Sequence, residues 1–423
     1  MAGSIPSALL LLLNMAGALL APSPRAPHSL PASAGAGDDD GDVDFFFFPF
    51  LVRYKSGRVE RFVGTDTVPA SVDPATGVAS KDVVIDAAAG LAVRIYLPSP
   101  GNGTRSGRGG RLPLVVFYHG GGFVTESAFS PTYQRYLNAL VSKAGAVVVS
   151  VDYHLSPEHP LPAAYDDAWT ALTWVLRSAR SGAEPWLSRR ADLTRLFLAG
   201  DSAGGNMAHN MAMRAGREGL DGGAAVRGIA LLDPYFWGKR PVASETRDPA
   251  ERRRNDRIWS FVCAGRYGLD DPVVNPVAMA GDEWQRLGCA RVLVTVAGLD
   301  VLSARGRAYV EALRASGWGG EVRLYETPGE YHVYFLLKPD GGEGGQGDGC
   351  GGGLHQRRPV SREHEARGFG RIYRNFLRTL ARLEDRRRTT RKGNPVASKI
   401  SRHTRLNSHC DSSCFDLWFS FPL

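Results

Sequence analysis

Five stretches of the chain are apolar at nearly every position: residues 114–118 (Leu-Val-Val-Phe-Tyr), 146–151, 196–199, 228–232 and 292–297. A strand with no polar alternation must be covered on both faces. Residues 321–325 predict a sixth strand of this series. Upstream, 83–86 and 91–97 alternate and are joined by a short Ala/Gly turn, the pattern of two paired strands. Helical spacing appears between the later runs. Residues 166–177 set Ala168, Leu172, Val175 and Leu176 on one stripe, 205–213 are rich in Ala and Met, and 304–315 bury Ala308, Tyr309, Ala312 and Leu313. Eight strands, with helices intervening from the third onward, predict an α/β architecture: a mostly parallel sheet with helices on both faces.

Outside that core the pattern is irregular. Residues 8–21 are apolar except for Asn14, too short to span a bilayer as a helix and about the length of a signal-peptide core. A basic n-region is missing, and the small-residue cleavage candidates at 32–34 lie far downstream. Residues 22–44 are Pro/Ala/Gly-rich and then acidic, the composition of a linker. Phe45, Phe46, Phe47, Phe48, Phe50, Leu51 and Val52 form a cluster that must cover something, either as an N-terminal cap over a pocket or as part of the core. Residues 234–286 read as an irregular insertion with scattered aromatics, suited to a pocket wall or to core packing. Residues 341–353 hold nine glycines and read as a disordered loop. The stretch 363–383 presents Phe369, Ile372, Tyr373, Phe376 and Leu380 on one helical face and closes the domain, so that 45–385 reads as one unit.

Charge changes one inference. The formal net charge is +8, a value that invites a nucleic-acid role. Residues 386–423 carry eight Lys/Arg against two Asp, a net +6, which leaves +2 for residues 1–385. The body is near neutral, and nucleic acid has no support outside that basic, aperiodic tail, which is expected to be disordered. The five cysteines (Cys263, Cys289, Cys350, Cys410 and Cys414) include no C-x-x-C pair and no zinc-finger spacing, so neither a disulfide framework nor a structural zinc follows.

Candidate chemistry sits at the ends of the predicted strands, where open α/β sheets place functional groups. Gly200-Asp201-Ser202-Ala203-Gly204 lies between a strand and a helix, the context in which G-x-S-x-G forms a nucleophile elbow. His119-Gly120-Gly121-Gly122-Phe123 follows a buried strand. Three glycines there expose backbone N–H groups that side chains would otherwise block, as an oxyanion requires. Asp300 and His332 each follow a strand. The order Ser202, Asp300, His332 is that of α/β-hydrolases, not of chymotrypsin or subtilisin. His154 and His159 lie among prolines at 152–162 and read better as hydrogen-bonded scaffold than as bases.

With these residues in place, the chain from about residue 45 to 383 resembles the plant carboxylesterases of the hormone-sensitive-lipase-like group, the α/β hydrolase fold-3 family. The resemblance rests on His119-Gly120-Gly121-Gly122-Phe123, Val151-Asp152-Tyr153, Pro157-Glu158-His159-Pro160, Gly200 to Gly205, Gly298-Leu299-Asp300 and Glu330-Tyr331-His332. It implies a serine carboxylesterase acting on small esters. Ser202 would be the nucleophile, His332 the base and Asp300 its orienting acid, with the N–H groups of Gly121, Gly122 and Ala203 as the oxyanion hole and no metal or cofactor. The resemblance extends to tuliposide-converting enzymes, 2-hydroxyisoflavanone dehydratases and gibberellin receptors, so a lyase and a non-catalytic receptor are the alternatives. The receptors lack the triad histidine that is present here. Two features depart from the family pattern: His154 where arginine is usual, and the glycine insertion after Pro339. The resemblance implies a cytoplasmic protein, whereas residues 1–21 acting as a signal peptide would make it secreted or vacuolar.

Overall fold

The computed structural model describes residues 43–99 and 110–337. The signal-peptide stretch, the linker up to residue 42, the glycine-rich loop at 341–353, the closing helix at 363–383 and the basic tail lie outside the described residues.

In chain order the described residues form β1 (Val43–Phe47), β2 (Leu51–Tyr54), β3 (Val59–Arg61), β4 (Ala79–Asp86), β5 (Leu91–Leu97), β6 (Leu112–Tyr118), α1 (Pro131–Ala144), β7 (Val147–Asp152), α2 (Ala163–Ser181), α3 (Pro185–Arg190), β8 (Ala191–Asp201), α4 (Ala203–Glu218), β9 (Val226–Leu232), α5 (Pro249–Val262), α6 (Gly281–Trp284), β10 (Arg291–Ala297), α7 (Ser303–Ala315) and β11 (Glu321–Thr327). The eight expected strands pair into one sheet in the order β11-β10-β9-β8-β6-β7-β5-β4. β6 to β11 run parallel, and β5 and β4 add antiparallel at one edge.

The continuous apolar runs have the predicted cause. Every residue of β6 is buried, and successive side chains enter opposite layers. Leu114, Val116 and Tyr118 join the core beneath α2, α4 and α7, while Val115 and Phe117 join the core beneath α1. The left-handed Gly145 ends α1, its N–H donating to Val141 O.

Two elements differ from the sequence reading. The phenylalanine run begins a three-stranded antiparallel sheet, β1-β2-β3, whose first strand takes in Val43 and Asp44 from the expected linker. Phe45 and Phe47 point inward, while Phe46 and Phe48 are exposed. Residues 234–286 are also not irregular throughout, since α5 crosses them. Asp248 caps it by accepting from Ala250 N (2.7 Å) and Glu251 N (3.0 Å), with Pro249 as its first helical residue. Its apolar side chains are crowded into the last turns after three arginines, so the helical period is weak in sequence. Phe45 of β1 stacks on Phe261 of α5 with centroids 4.0 Å apart. Arg61 of β3 donates to Val124 O (2.6 Å) and to both oxygens of Glu158 (2.8 and 2.6 Å). The small sheet and α5 therefore sit together, tied to the loop that follows β6.

Candidate active site

β8 stops at Asp201, and α4 begins at Ala203. Ser202 between them has φ 52° and ψ −117°, a conformation that costs a serine of order 1–3 kcal/mol and persists only where the surroundings enforce it. Here Ser202 N donates to Leu232 O and Tyr235 N donates to Ser202 O, each at 2.8 Å. Gly204 is required by space: a Cβ there would run into the Tyr118 carbonyl, 2.5 Å from its carbon, and lie 2.7 Å from His119 O. The hydroxyl is thus held at the N-terminus of a 16-residue helix, where the backbone dipole favours developing negative charge.

The sheet brings Asp300 and His332 to the same end. Gly298 N donates to Thr327 O and Leu299 N to Glu330 O, each at 2.9 Å, stitching the loops after β10 and β11 together. Asp300 Oδ1 accepts from Leu302 N at 2.9 Å, while its Oδ2 lies 2.7 Å from His332 Nδ1. His332 Nε2 lies 2.9 Å from Ser202 Oγ. Burial on its own would lower the pKa of His332. The negative charge of Asp300, with smaller contributions from Asp233 and Asp201, more than reverses this and pushes it up to about 9.

The glycine loop is ordered by its first glycine. Gly120 N donates to Tyr133 Oη (2.7 Å) and to Asp201 Oδ1 (3.1 Å). Gly121 (φ 99°) and Gly122 (φ 61°) turn the chain through left-handed space. Among the described residues, neither gives its amide hydrogen to a protein acceptor. Asp201 is buried, and desolvation pushes its carboxyl up to about 7 despite the hydrogen bond from Tyr133. A Cβ placed on Gly122 would lie 3.5 Å from the Phe47 ring, so the N-terminal sheet reaches over this loop as a cap.

His154 and His159 are engaged elsewhere. His154 Nδ1 lies 2.7 Å from Asp167 Oδ2, and its ring is 4.4 Å from that of His159. Cys263 and Cys289 are free thiols. No helix of the described residues is long and apolar enough to cross a membrane.

A family model described as "alpha/beta hydrolase fold" matches residues 115–336. The chain belongs to the α/β hydrolase fold family. Within this family it is carboxylesterase-like. Tuliposide A-converting enzyme 2, chloroplastic, of Tulipa gesneriana is 47% identical over 68% of this chain and 72% of its own. Probable carboxylesterase 13 of Arabidopsis thaliana is 47% identical over 69% and 91%. 2-Hydroxyisoflavanone dehydratase of Glycyrrhiza echinata is 44% identical over 69% and 90%. Among solved structures, a thermostable esterase from Pseudomonas putida ECU1011 superposes with a TM-score of 0.50 at 28% identity, covering 64% of this chain and 79% of that one.

Two residues of this α/β hydrolase site were not singled out from the sequence. Tyr133 lies on α1, and its side chain meets Asp201 and Gly120 N. Asp233 directly follows the apolar run at 228–232, and its carboxylate accepts from Val333 N in the loop that carries His332. No local signal marks either one, because the carboxylate that Tyr133 meets and the amide that Asp233 holds lie 68 and 100 residues away.

Proposed function

We propose that the protein is a serine carboxylesterase that hydrolyses small carboxylic esters. The observation that carries the reading is the unbroken hydrogen-bonded series Ser202 Oγ, His332 Nε2, His332 Nδ1, Asp300 Oδ2, at 2.9 and 2.7 Å. In this mechanism neutral His332 takes the Ser202 proton as Oγ attacks the ester carbonyl, and Asp300 stabilises the imidazolium. The free N–H groups of Gly121 and Gly122, with that of Ala203 at the start of α4, receive the oxyanion. Each such donor is typically worth about 2.7–4 kcal/mol of barrier. The imidazolium then protonates the departing alcohol. Water, activated by His332, hydrolyses the acyl-enzyme and regenerates Ser202.

The test is a panel of p-nitrophenyl esters of increasing acyl length, run beside Ser202→Ala. Short acyl chains should be turned over by the wild-type chain alone. Equal rates in the two proteins would remove the reading. The similarity to a dehydratase supports a second reading, in which His332 abstracts a proton and water is lost from a hydroxylated substrate. Product analysis separates the two, because hydrolysis yields an acid and an alcohol whereas elimination yields an alkene and water.

A further inference from the structure

β9 ends beside both halves of the site. Leu232 O accepts from Ser202 N, and Tyr235 N donates back to Ser202 O. Between them Asp233 adopts φ 46°, a left-handed conformation that aspartate tolerates better than most residues. Its amide donates to Thr295 O (3.1 Å) and Thr295 Oγ1 (3.2 Å), and Thr295 Oγ1 in turn lies 3.2 Å from Asp233 Oδ1. The other oxygen, Oδ2, accepts from Val333 N at 2.9 Å. Val333 directly follows His332 and is itself left-handed, at φ 48° and ψ 30°. A β-branched residue there is strained and needs an external hold. The segment 232–235 thus grips the serine by its backbone and the histidine loop by one side chain.

Charge is brought to the same point. One carboxylate oxygen each from Asp233 and Asp300 and a ring nitrogen of His332 lie within 4.8 Å of one another. Asp233 is only 2% exposed. We propose that Asp233 is a second carboxylate of the site: a positioning residue that clamps His332 through Val333 N–H and shares with Asp300 the stabilisation of the imidazolium. Burial and the neighbouring like charge of Asp300 both raise the pKa of Asp233, while the His332 cation and the hydrogen bond from Val333 N oppose the rise. The other ionisable groups around the cluster are Asp201 at the end of β8, Tyr136 on α1, Tyr334 and Glu330 on either side of His332, and Arg307 on α7 acting on Asp300.

The role in catalysis rests on the esterase reading, but the electrostatic coupling does not, and the experiment separates them. The full chain and its Asp233→Asn and Asp233→Ala variants are titrated twice, by 15N NMR of the His332 imidazole and by the pH dependence of kcat/KM for p-nitrophenyl acetate. The asparagine side chain keeps an acceptor for Val333 N–H and removes the charge. Loss of a carboxylate within about 4–6 Å should lower the His332 midpoint by about 1–3 pH units. In Asp233→Asn the rising limb of kcat/KM should move with it. Asp233→Ala also releases the clamp, so kcat should fall at least about tenfold below that of Asp233→Asn, with KM little changed. A His332 midpoint in Asp233→Asn equal to that of the wild type overturns the proposal. So does failure of both variants to fold, which would make Asp233 a purely structural residue. A shifted NMR midpoint with no Ser202-dependent turnover in the wild type would instead sink the esterase reading and leave the coupling standing.

Discussion

Replacing Asp300 by asparagine changes one atom, and the surrounding hydrogen bonds dictate the outcome. Leu302 N donates to Oδ1 at 2.9 Å, so the oxygen of the new amide must remain on that side. The amide NH2 then occupies the Oδ2 position, 2.7 Å from His332 Nδ1. Two donors cannot face each other there, so Nδ1 must become the acceptor and the ring proton moves to Nε2. Nε2–H then points at Ser202 Oγ across 2.9 Å and cannot accept its proton. In comparable triads this tautomer inversion costs about 10⁴ in kcat, equivalent to about 5.5 kcal/mol of barrier. The assay is kcat for p-nitrophenyl acetate at fixed pH, with thermal melting to confirm folding. KM should change little, because the backbone N–H groups of Gly121, Gly122 and Ala203, proposed to bind the oxyanion, are untouched. An Asp300→Asn enzyme within tenfold of wild type would refute the reasoning, since some other group would then be orienting His332.

Three further outcomes are expected. Only neutral His332 can act as base, and its pKa is raised to about 9, so kcat/KM should climb as pH rises from about 6 toward that value; a profile that is flat or falls over this span contradicts the assignment. Gly204→Ala pushes a methyl group against the carbonyls of Tyr118 and His119, backbone that cannot swing aside, and should cost at least about 3 kcal/mol in denaturant unfolding; a neutral result would mean the elbow has room to spare. Arg305 on α7 is 1% exposed and binds Glu245 at 2.9 and 3.0 Å and Asn275 at 2.9 Å, so Arg305→Met should cost about 3–5 kcal/mol, whereas Arg177→Ala, which breaks the exposed pair with Asp221, should cost under about 1 kcal/mol; equal losses would show that burial does not set the difference.

How much was legible in the sequence follows from how local each signal is. β6 to β10 could be read because a strand buried on both faces carries a continuous apolar run. The edge strand β11, Glu-Val-Arg-Leu-Tyr-Glu-Thr, is only partly buried and carries a weaker pattern. The groups at the strand ends then followed from chain order. The elbow was legible because Gly204 has no alternative where the helix passes over the Tyr118 carbonyl. The cap sheet was less so: with Phe at four consecutive positions, the inward pair Phe45 and Phe47 cannot be told from the outward pair Phe46 and Phe48. α5 hides its apolar face behind Arg252, Arg253 and Arg254, although Asp248-Pro249 with Glu251 following is a helix start signal. α1 likewise opens with Ser130-Pro131 and spaces Tyr133, Tyr136, Leu137, Leu140 and Val141 along one face. Asp233 was beyond reach, because its role arises only where three loops distant in sequence meet.

The most direct test of the central claim is covalent labelling of the nucleophile. The full chain is treated with diethyl p-nitrophenyl phosphate, an ester whose phosphoryl group stays on an activated serine, and the modified peptide is located by mass spectrometry. One diethylphosphoryl group per chain on Ser202, absent in Ser202→Ala and strongly slowed in His332→Val, is the predicted result. Modification of another residue, or ester turnover that persists while Ser202 stays unlabelled, would contradict the account.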